Sequence, residues 1–168
     1  MKAIIYTSNT GSTAEYAQLL GKELNLPVHS LQQAKNKVPA DSEIIYLGWI
    51  MAGGIKGYKE AAKLYKVRAV CGIGMGQTGT QLKEVRDKNA IPQRIPLFTL
   101  QGNFDVKKLH GVYRFMMNVM VKTAGKGLAN KTDRTPEEDD MLDMMVNGGK
   151  RVSLQNLKAV TEWYKSIN

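Results

Sequence analysis

Residues 2–23 read Lys2-Ala-Ile-Ile-Tyr-Thr7, then Ser8-Asn-Thr-Gly-Ser-Thr13, then Ala14-Glu-Tyr-Ala-Gln-Leu-Leu-Gly-Lys-Glu23. This order predicts a short apolar strand that runs through six small polar residues into a helix. The first N–H groups of such a helix lack intrahelical partners and attract anions. Gly11 allows close approach of the backbone, and four hydroxyls are expected to point into the same pocket: Ser8, Thr10, Ser12 and Thr13. The stretch therefore predicts a site for a phosphate monoester.

The loop contains no lysine or arginine, and no Gly-Lys-Ser/Thr sequence occurs in the chain. A phosphate loop of the triphosphate-binding type is therefore not expected, because that loop places a lysine at the helix start. Hydroxyls and amides alone suit the single phosphate of a mononucleotide. The same residues have a purely structural interpretation as well, since Ser12 and Glu15 have the spacing of a helix capping box.

The pattern Ser-x-Thr-Gly-x-Thr, placed directly after the first strand, resembles the phosphate loop of flavodoxins, and residues 8–13 match it at every defined position. The resemblance implies an FMN cofactor. It also implies that the FMN phosphate is held by Ser8, Asn9, Thr10, Gly11, Ser12 and Thr13.

Apolar and amphipathic segments alternate along most of the chain, which predicts a parallel sheet with helices on both faces. The predicted strands are Ala3–Thr7, Pro27–Leu31, Glu43–Trp49, Arg68–Met75 and Ile95–Gln101. The predicted helices are Thr13–Asn25, Tyr58–Tyr65, Gln81–Lys88, Val106–Ala124 and Ser153–Ile167. The expected fold is a single flavodoxin-like α/β domain over residues 1–168. It is doubly wound, with five parallel strands in the order 2-1-3-4-5 and a helical insertion at about 102–150.

In this fold the loops after strands one, three and four, residues 8–13, 50–57 and 75–79, are expected to meet around one ligand. The predicted flavin-ring contacts after strand three are Trp49, Ile50, Met51, Ala52, Gly53 and Gly54. Those after strand four are Met75, Gly76, Gln77, Thr78 and Gly79. Trp49 is expected either to stack on the ring or to pack in the core, and Ile50 or Met51 could cover the ring instead.

Residues 74–79 also match the dinucleotide pattern Gly-x-Gly-x-x-Gly. That pattern requires an acidic residue about twenty positions later, at the end of the next strand, where this chain has Gln101. Backbone amides near a flavin ring are therefore the favoured interpretation, and an NAD site is the alternative.

The segment Gly102–Gly127 has a second resemblance, carried by Tyr113-Arg-Phe-Met116 and by Val119-Met-Val-Lys-Thr-Ala-Gly125. It is similar to the insertion of quinone-linked protoporphyrinogen dehydrogenases, the branch of the flavodoxin-like proteins that acts in heme biosynthesis. The resemblance implies an FMN oxidoreductase that passes electrons from a porphyrinogen to a quinone at a membrane face. Residues 101–104 and the helix 106–122 would shape the substrate or quinone side. No side chain is identified as a catalytic acid or base.

The 168 residues carry a formal charge of +9. A basic chain attracts anionic partners, and the expected ones are an anionic small-molecule redox substrate or anionic lipid. Nucleic-acid binding is a third hypothesis, and no nucleic-acid partner is expected. Electron-carrier flavodoxins are usually acidic, so a non-enzymatic electron-transfer flavodoxin with a redox-protein partner is the alternative function. Cys71 is the single cysteine of the chain, which excludes an internal disulfide. The two histidines have no pair of cysteines beside them in the sequence, so no metal site is expected. A cytoplasmic protein with peripheral contact to an anionic membrane is the expected location.

Overall fold

The computed structural model describes residues 1–104 and 111–167. Within the second range it describes the backbone but not the side chains of residues 112–114, 116, 117, 120 and 124. The predicted helix start at Val106 lies outside the described residues.

The sheet has the predicted topology. Its strands are β1 (Ala3–Thr7), β2 (Val28–Ser30), β3 (Glu43–Met51), β4 (Gly54–Ile55), β5 (Lys66–Gly74) and β6 (Leu97–Gln101). Five of them are parallel in the order β2-β1-β3-β5-β6, and β4 pairs antiparallel with the end of β3. Numbered without β4, this is the order 2-1-3-4-5, so the doubly wound α/β fold is confirmed.

The helices are α1 (Ser12–Leu24), α2 (Leu31–Ala34), α3 (Tyr58–Leu64), α4 (Leu82–Asn89), α5 (Gly111–Ala129), α6 (Pro136–Asn147) and α7 (Lys158–Ser166). A short 3-10 turn, Gln155–Leu157, precedes α7. Two of these helices were not predicted, α2 and α6. Both begin with a complete capping box, at Ser30 and Thr135, so local sequence signals were present at each start.

Alternation along the strands supplies both faces of the sheet with core residues. Ile5 and Tyr46 pack on the face covered by α2, α3 and α4, whereas Ile4 and Ile45 pack on the face covered by α1 and α7. A strand that is buried on both faces is apolar throughout, which is why these strands read as continuous apolar runs.

The insertion folds as the helix pair α5 and α6, which contact each other. A bridge between Phe104 and Gly149 closes its base, so the chain leaves and rejoins the sheet at one place. The apolar pattern of α5 predicts that most of its surface is buried, but the side chains of Phe115 and Val119 are 69% and 45% exposed. Among the described residues, no helix is both long and apolar enough to cross a membrane.

Candidate functional site

The loop between β1 and α1 leaves the start of the helix without a side-chain cap. Gly11 is the N-cap residue, with a φ of 106°, and its carbonyl accepts the first helical hydrogen bond from the N–H of Glu15 at 2.9 Å. The N–H groups of residues 12–14 come before this bond and have no partner within the helix. The region near φ = 106° favours glycine, so this residue type is required where the loop turns into the helix.

The predicted capping box between Ser12 and Glu15 is wrong. The Ser12 hydroxyl accepts the backbone N–H of Asn103 at 3.0 Å, and the Glu15 carboxylate accepts the Asn103 side-chain amide at 3.1 Å. Both side chains therefore tie the segment after β6 to α1. This segment is distant from α1 in the sequence and lies beside it only in the folded chain.

Ser8 is the most informative residue of the loop. Its Oγ is buried and has no hydrogen-bond partner. Among the described residues, no other buried side-chain nitrogen or oxygen lacks a partner. A buried hydroxyl without a partner is costly, so such an atom indicates a ligand contact. Thr13 is buried as well, whereas Asn9 and Gly11 are exposed and Thr10 is half-buried.

A groove of about 790 Å³ opens beside this loop at the carboxyl ends of β1, β2 and β3. We call it the phosphate-loop groove. Ser8, Asn9 and Gly11 line one side of it, and Trp49, Lys56 and Gly57 line another. The loops after the first and third parallel strands therefore meet in one groove, and they are two of the three loops predicted to share a ligand.

Two lysines that the sequence did not indicate line the same groove. Lys35 reaches it from the segment after α2 and pairs with Glu60 at 2.6 Å. The Lys56 Nζ lies 5.7 Å from the centre of the Trp49 ring, within the range of a cation–π contact. The loop itself contains no cation, but the groove does.

The segment after β3 is a tight hairpin rather than an open loop. Ile50 pairs with Ile55 and Met51 with Gly54, which leaves a two-residue turn at Ala52 and Gly53. Both turn residues have positive φ, 47° and 75°, as a type I′ turn requires. Alanine is strained in this region, so the backbone predicted to frame a flavin ring stores some strain.

Asn89 holds this hairpin from the end of α4. Its Oδ1 accepts the N–H of Ile55 at 2.7 Å, and its Nδ2 donates to the carbonyls of Gly53 at 2.8 Å and Val85 at 2.7 Å. The side chain is buried and uses both ends of its amide. Sequence reasoning did not indicate Asn89, because it lies 34 residues from Ile55.

The loop 75–79 rests against the end of β6. The Gly79 N–H donates to the Thr99 carbonyl at 3.0 Å, and the Thr78 hydroxyl accepts the Gln101 N–H at 3.1 Å. Met75–Gly79 belong to the described residues, but they do not line the phosphate-loop groove. They lie at the same edge of the sheet, beyond the end of β5.

The ring contacts predicted after strand three divide between the core, the groove and the hairpin. Ile50 packs over Gly72 of β5, where an added Cβ would lie 2.9 Å from its Cδ1. Trp49 is half-buried and lines the groove, and Met51 is half-buried in the hairpin. Of the two interpretations of Trp49, the groove position is consistent with a ligand contact.

Residues 101–104, predicted to shape the substrate side, anchor the insertion. The Asn103 Oδ1 accepts the N–H groups of Arg151 and Val152 at 2.7 and 3.0 Å. The Gln101 side chain donates to Asp140 at 2.5 Å, and Arg151 donates to the same carboxylate at 3.0 Å. This network fixes α6 above the carboxyl end of β6, next to α1.

Burial raises the pKa of several core groups, and two of them, Tyr46 and Cys71, lie on the central strands β3 and β5. Burial raises the pKa of Tyr46 well above its usual range, and its hydroxyl contacts Thr7 Oγ1 and the Lys56 carbonyl, each at 2.7 Å. Burial also raises the pKa of Cys71 to about 12, so the thiol stays protonated and unreactive. Both are structural groups: Tyr46 ties the end of β1 to the groove wall, and Cys71 packs in the core.

Among the described residues, no group of three or more His, Cys, Asp or Glu side chains is placed to hold a metal ion. Comparison of the chain with protein-family models, with curated proteins and with solved structures gave no match. The function therefore has to be inferred from the fold and from the geometry of this site.

Proposed function

We propose that this protein binds FMN at the β1–α1 loop and acts as a flavodoxin-type oxidoreductase. The observation that carries the proposal is the buried Ser8 Oγ without a partner, next to the helix start that no side chain caps. Both features lie where the sheet order reverses around β1, the position at which doubly wound sheets bind their ligands.

In this proposal the phosphate takes hydrogen bonds from the Ser8 hydroxyl and from the N–H groups of residues 12–14. The Gly11 backbone turns the chain so that these donors converge. Lys56 and Lys35 add positive charge to the groove, and Glu60 offsets part of it. These residues fit a phosphate monoester on the side of the loop that faces the groove.

Bound FMN supplies the redox chemistry, which no side chain of this site provides. The chain binds and orients the cofactor and excludes water from part of it. Trp49 offers an aromatic wall beside the loop, and the hairpin at residues 51–54 offers backbone that Asn89 holds in place. The resemblance of residues 102–127 extends the proposal to a protoporphyrinogen dehydrogenase that reduces a quinone.

The net charge favours an enzyme with an anionic substrate over an electron carrier. An excess of nine basic residues attracts anions over a distance of about 8–10 Å at ordinary ionic strength. An electron carrier with this charge would need an acidic protein partner, and we keep that function as the alternative.

The test compares two flavins that differ by one group. The purified chain is titrated with FMN and with riboflavin, which lacks the phosphate, and binding is followed by flavin fluorescence. We expect FMN to bind at least about 100-fold more tightly, since several charge-assisted hydrogen bonds are lost with the phosphate. Equal affinity for the two flavins, or no binding of either, would contradict the phosphate assignment.

Turnover then separates the two functions. The FMN-loaded protein is assayed with protoporphyrinogen and a water-soluble quinone. Sustained quinone reduction supports the enzyme, whereas a protein that binds FMN but turns over neither compound supports the electron carrier.

A further inference from the structure

A second groove, of about 680 Å³, lies at the opposite edge of the sheet, and we call it the basal groove. The first residues of β5 and the segment Pro92–Pro96 before β6 form one part of its wall. The ends of α3 and α7 form the other. Arg68 is the last residue of β5 in this lining, so about 20 Å of extended strand, from Arg68 to Gly74, separate this wall from the carboxyl edge of the sheet. Among the described residues, the two grooves share no lining residue. The basal groove is therefore distinct from the phosphate-loop groove.

Three cations line the basal groove, and no acidic side chain among the described residues lines it. Arg68 is paired with Glu43 at 2.8 Å. Lys66 and Arg94 form no ion pair within the described residues. An anion in this groove would meet two cations whose charge the described part of the chain leaves uncompensated.

Three aromatic side chains line the same groove. Tyr58 and Tyr65 are each only 5% exposed, and Trp163 is half-buried. Neither tyrosine hydroxyl makes a hydrogen bond to a described residue. Burial raises the pKa of both tyrosines, so both hydroxyls are protonated donors at neutral pH.

Both walls of the groove are held rigid before any ligand arrives. One Arg86 nitrogen, Nη1, donates to the carbonyls of Pro92 at 2.8 Å and Ile95 at 3.1 Å, which fixes the turn that carries Arg94. On the other wall, Phe98 packs against Trp163 with a ring-centre distance of 6.2 Å. A rigid site loses less conformational entropy on binding than a mobile one.

We infer that the basal groove binds a planar aromatic molecule that carries a carboxylate or a phosphate. The aromatic ring packs against the half-buried Trp163, and the anionic group binds Arg94 and Lys66. The volume lies within the range of small-molecule sites, and the lining is more polar than that of most such sites, which suits a ligand with an anionic group. This site does not depend on FMN binding.

The test uses three naphthalene compounds as probes: 1-naphthoate, 1-naphthyl phosphate and the neutral 1-naphthalenemethanol. Affinities are measured by calorimetry on the full chain, first without and then with saturating FMN. We expect at least one of the two anions to bind about tenfold more tightly than the alcohol, and its binding to weaken as salt is added. The tighter of the two anions identifies the anionic group.

Two variants locate the site. Arg94→Ala should weaken binding of the anion at least fivefold, whereas the matched control Lys37→Ala, an exposed cation elsewhere, should leave it unchanged. The indole N–H signal of Trp163, assigned with Trp163→Phe, should shift on binding while that of Trp49 stays in place. A folded Arg94→Ala protein, verified by its thermal unfolding, makes the comparison valid.

Several results would overturn the inference. They are absence of binding, equal affinity for the alcohol and both anions, or equal effects of Arg94→Ala and Lys37→Ala. A shift of the Trp49 signal, with displacement of the probe by FMN, would place the probe in the phosphate-loop groove and would also overturn it. That displacement would at the same time support FMN binding in the phosphate-loop groove, whereas the other results do not bear on whether FMN binds at residues 8–13.

Discussion

The substitution Ser8→Ala should raise the stability of the flavin-free protein and weaken FMN binding at the same time. In the folded chain the Ser8 Oγ is buried without a partner, although it is hydrated in the unfolded chain. A buried polar group of this kind costs about 1–3 kcal/mol, and alanine removes the hydroxyl at the loss of a small contact. We expect a net gain of about 1 kcal/mol, which for a domain of this size raises Tm by about 2–4 °C.

The effect on FMN has the opposite sign. A hydrogen bond to a charged group contributes about 1.5–3 kcal/mol, so its loss should weaken FMN binding by about 10- to 100-fold. Riboflavin affinity should change little, because riboflavin carries no phosphate. Thermal unfolding without flavin and fluorescence titration with both flavins measure the two effects on the same protein samples.

Ser12→Ala is the matched control for stability. It makes the same chemical change four residues away, where the hydroxyl has a partner, the Asn103 N–H. It should lower the free energy of unfolding by about 1 kcal/mol. If Ser8→Ala lowered Tm as Ser12→Ala does, the Ser8 hydroxyl would have a partner in the protein. If Ser8→Ala left FMN affinity unchanged, the phosphate would not contact this residue, and our reasoning would be refuted.

Three further predictions concern the groove and the core. Asn89→Ala should lower the free energy of unfolding by about 2–3 kcal/mol in urea titrations, because the substitution leaves the Ile55 N–H and the Gly53 carbonyl without their partner in a buried site. The control Lys88→Ala should change the free energy of unfolding by less than about 0.5 kcal/mol. Ala52→Asn should raise the Tm of the flavin-free protein, because asparagine adopts the positive φ of this turn at a cost that is lower than that of alanine by up to about 1 kcal/mol. A lower Tm would contradict the type I′ turn. The free energy of unfolding should fall as the pH rises above about 9, because the unfolded chain releases the Cys71 proton that the folded chain retains up to about pH 12. Cys71→Ala should make this fall less steep, and an unchanged slope would refute the raised pKa of Cys71.

The strand order 2-1-3-4-5 was implied by the resemblance to flavodoxins. The parallel sheet itself could be predicted from the sequence because its strands are apolar in continuous runs and alternate with helices. Such runs are required when both faces of a sheet are covered, so the pattern along the chain reports the fold directly. The hydroxyl-rich loop at residues 8–13 could be located for a similar reason, since a turn between a strand and a helix is local in sequence. Two elements with local start signals, α2 and α6, were missed although their capping boxes were present.

The partners of the loop side chains could not be predicted. Ser12 and Glu15 have the spacing of a capping box, but both hydrogen bond to Asn103, which lies 91 and 88 residues away. The competition between a local cap and a distant amide is decided by whether folding brings that amide within reach. The same holds for Asn89 on the hairpin and for Lys35 and Lys56 in the phosphate-loop groove.

The sequence by itself therefore determined the class of fold and the position of the loop at the first strand end. These features depend on periodicity and on hydrogen bonds between residues a few positions apart. Only the tertiary structure decided that the Ser8 hydroxyl is buried without a partner, that the helix start is uncapped, and that cations and aromatic rings from distant segments share the basal groove. Burial and charge at one point depend on every element packed around it, and residues distant in sequence reach that point only in the folded chain.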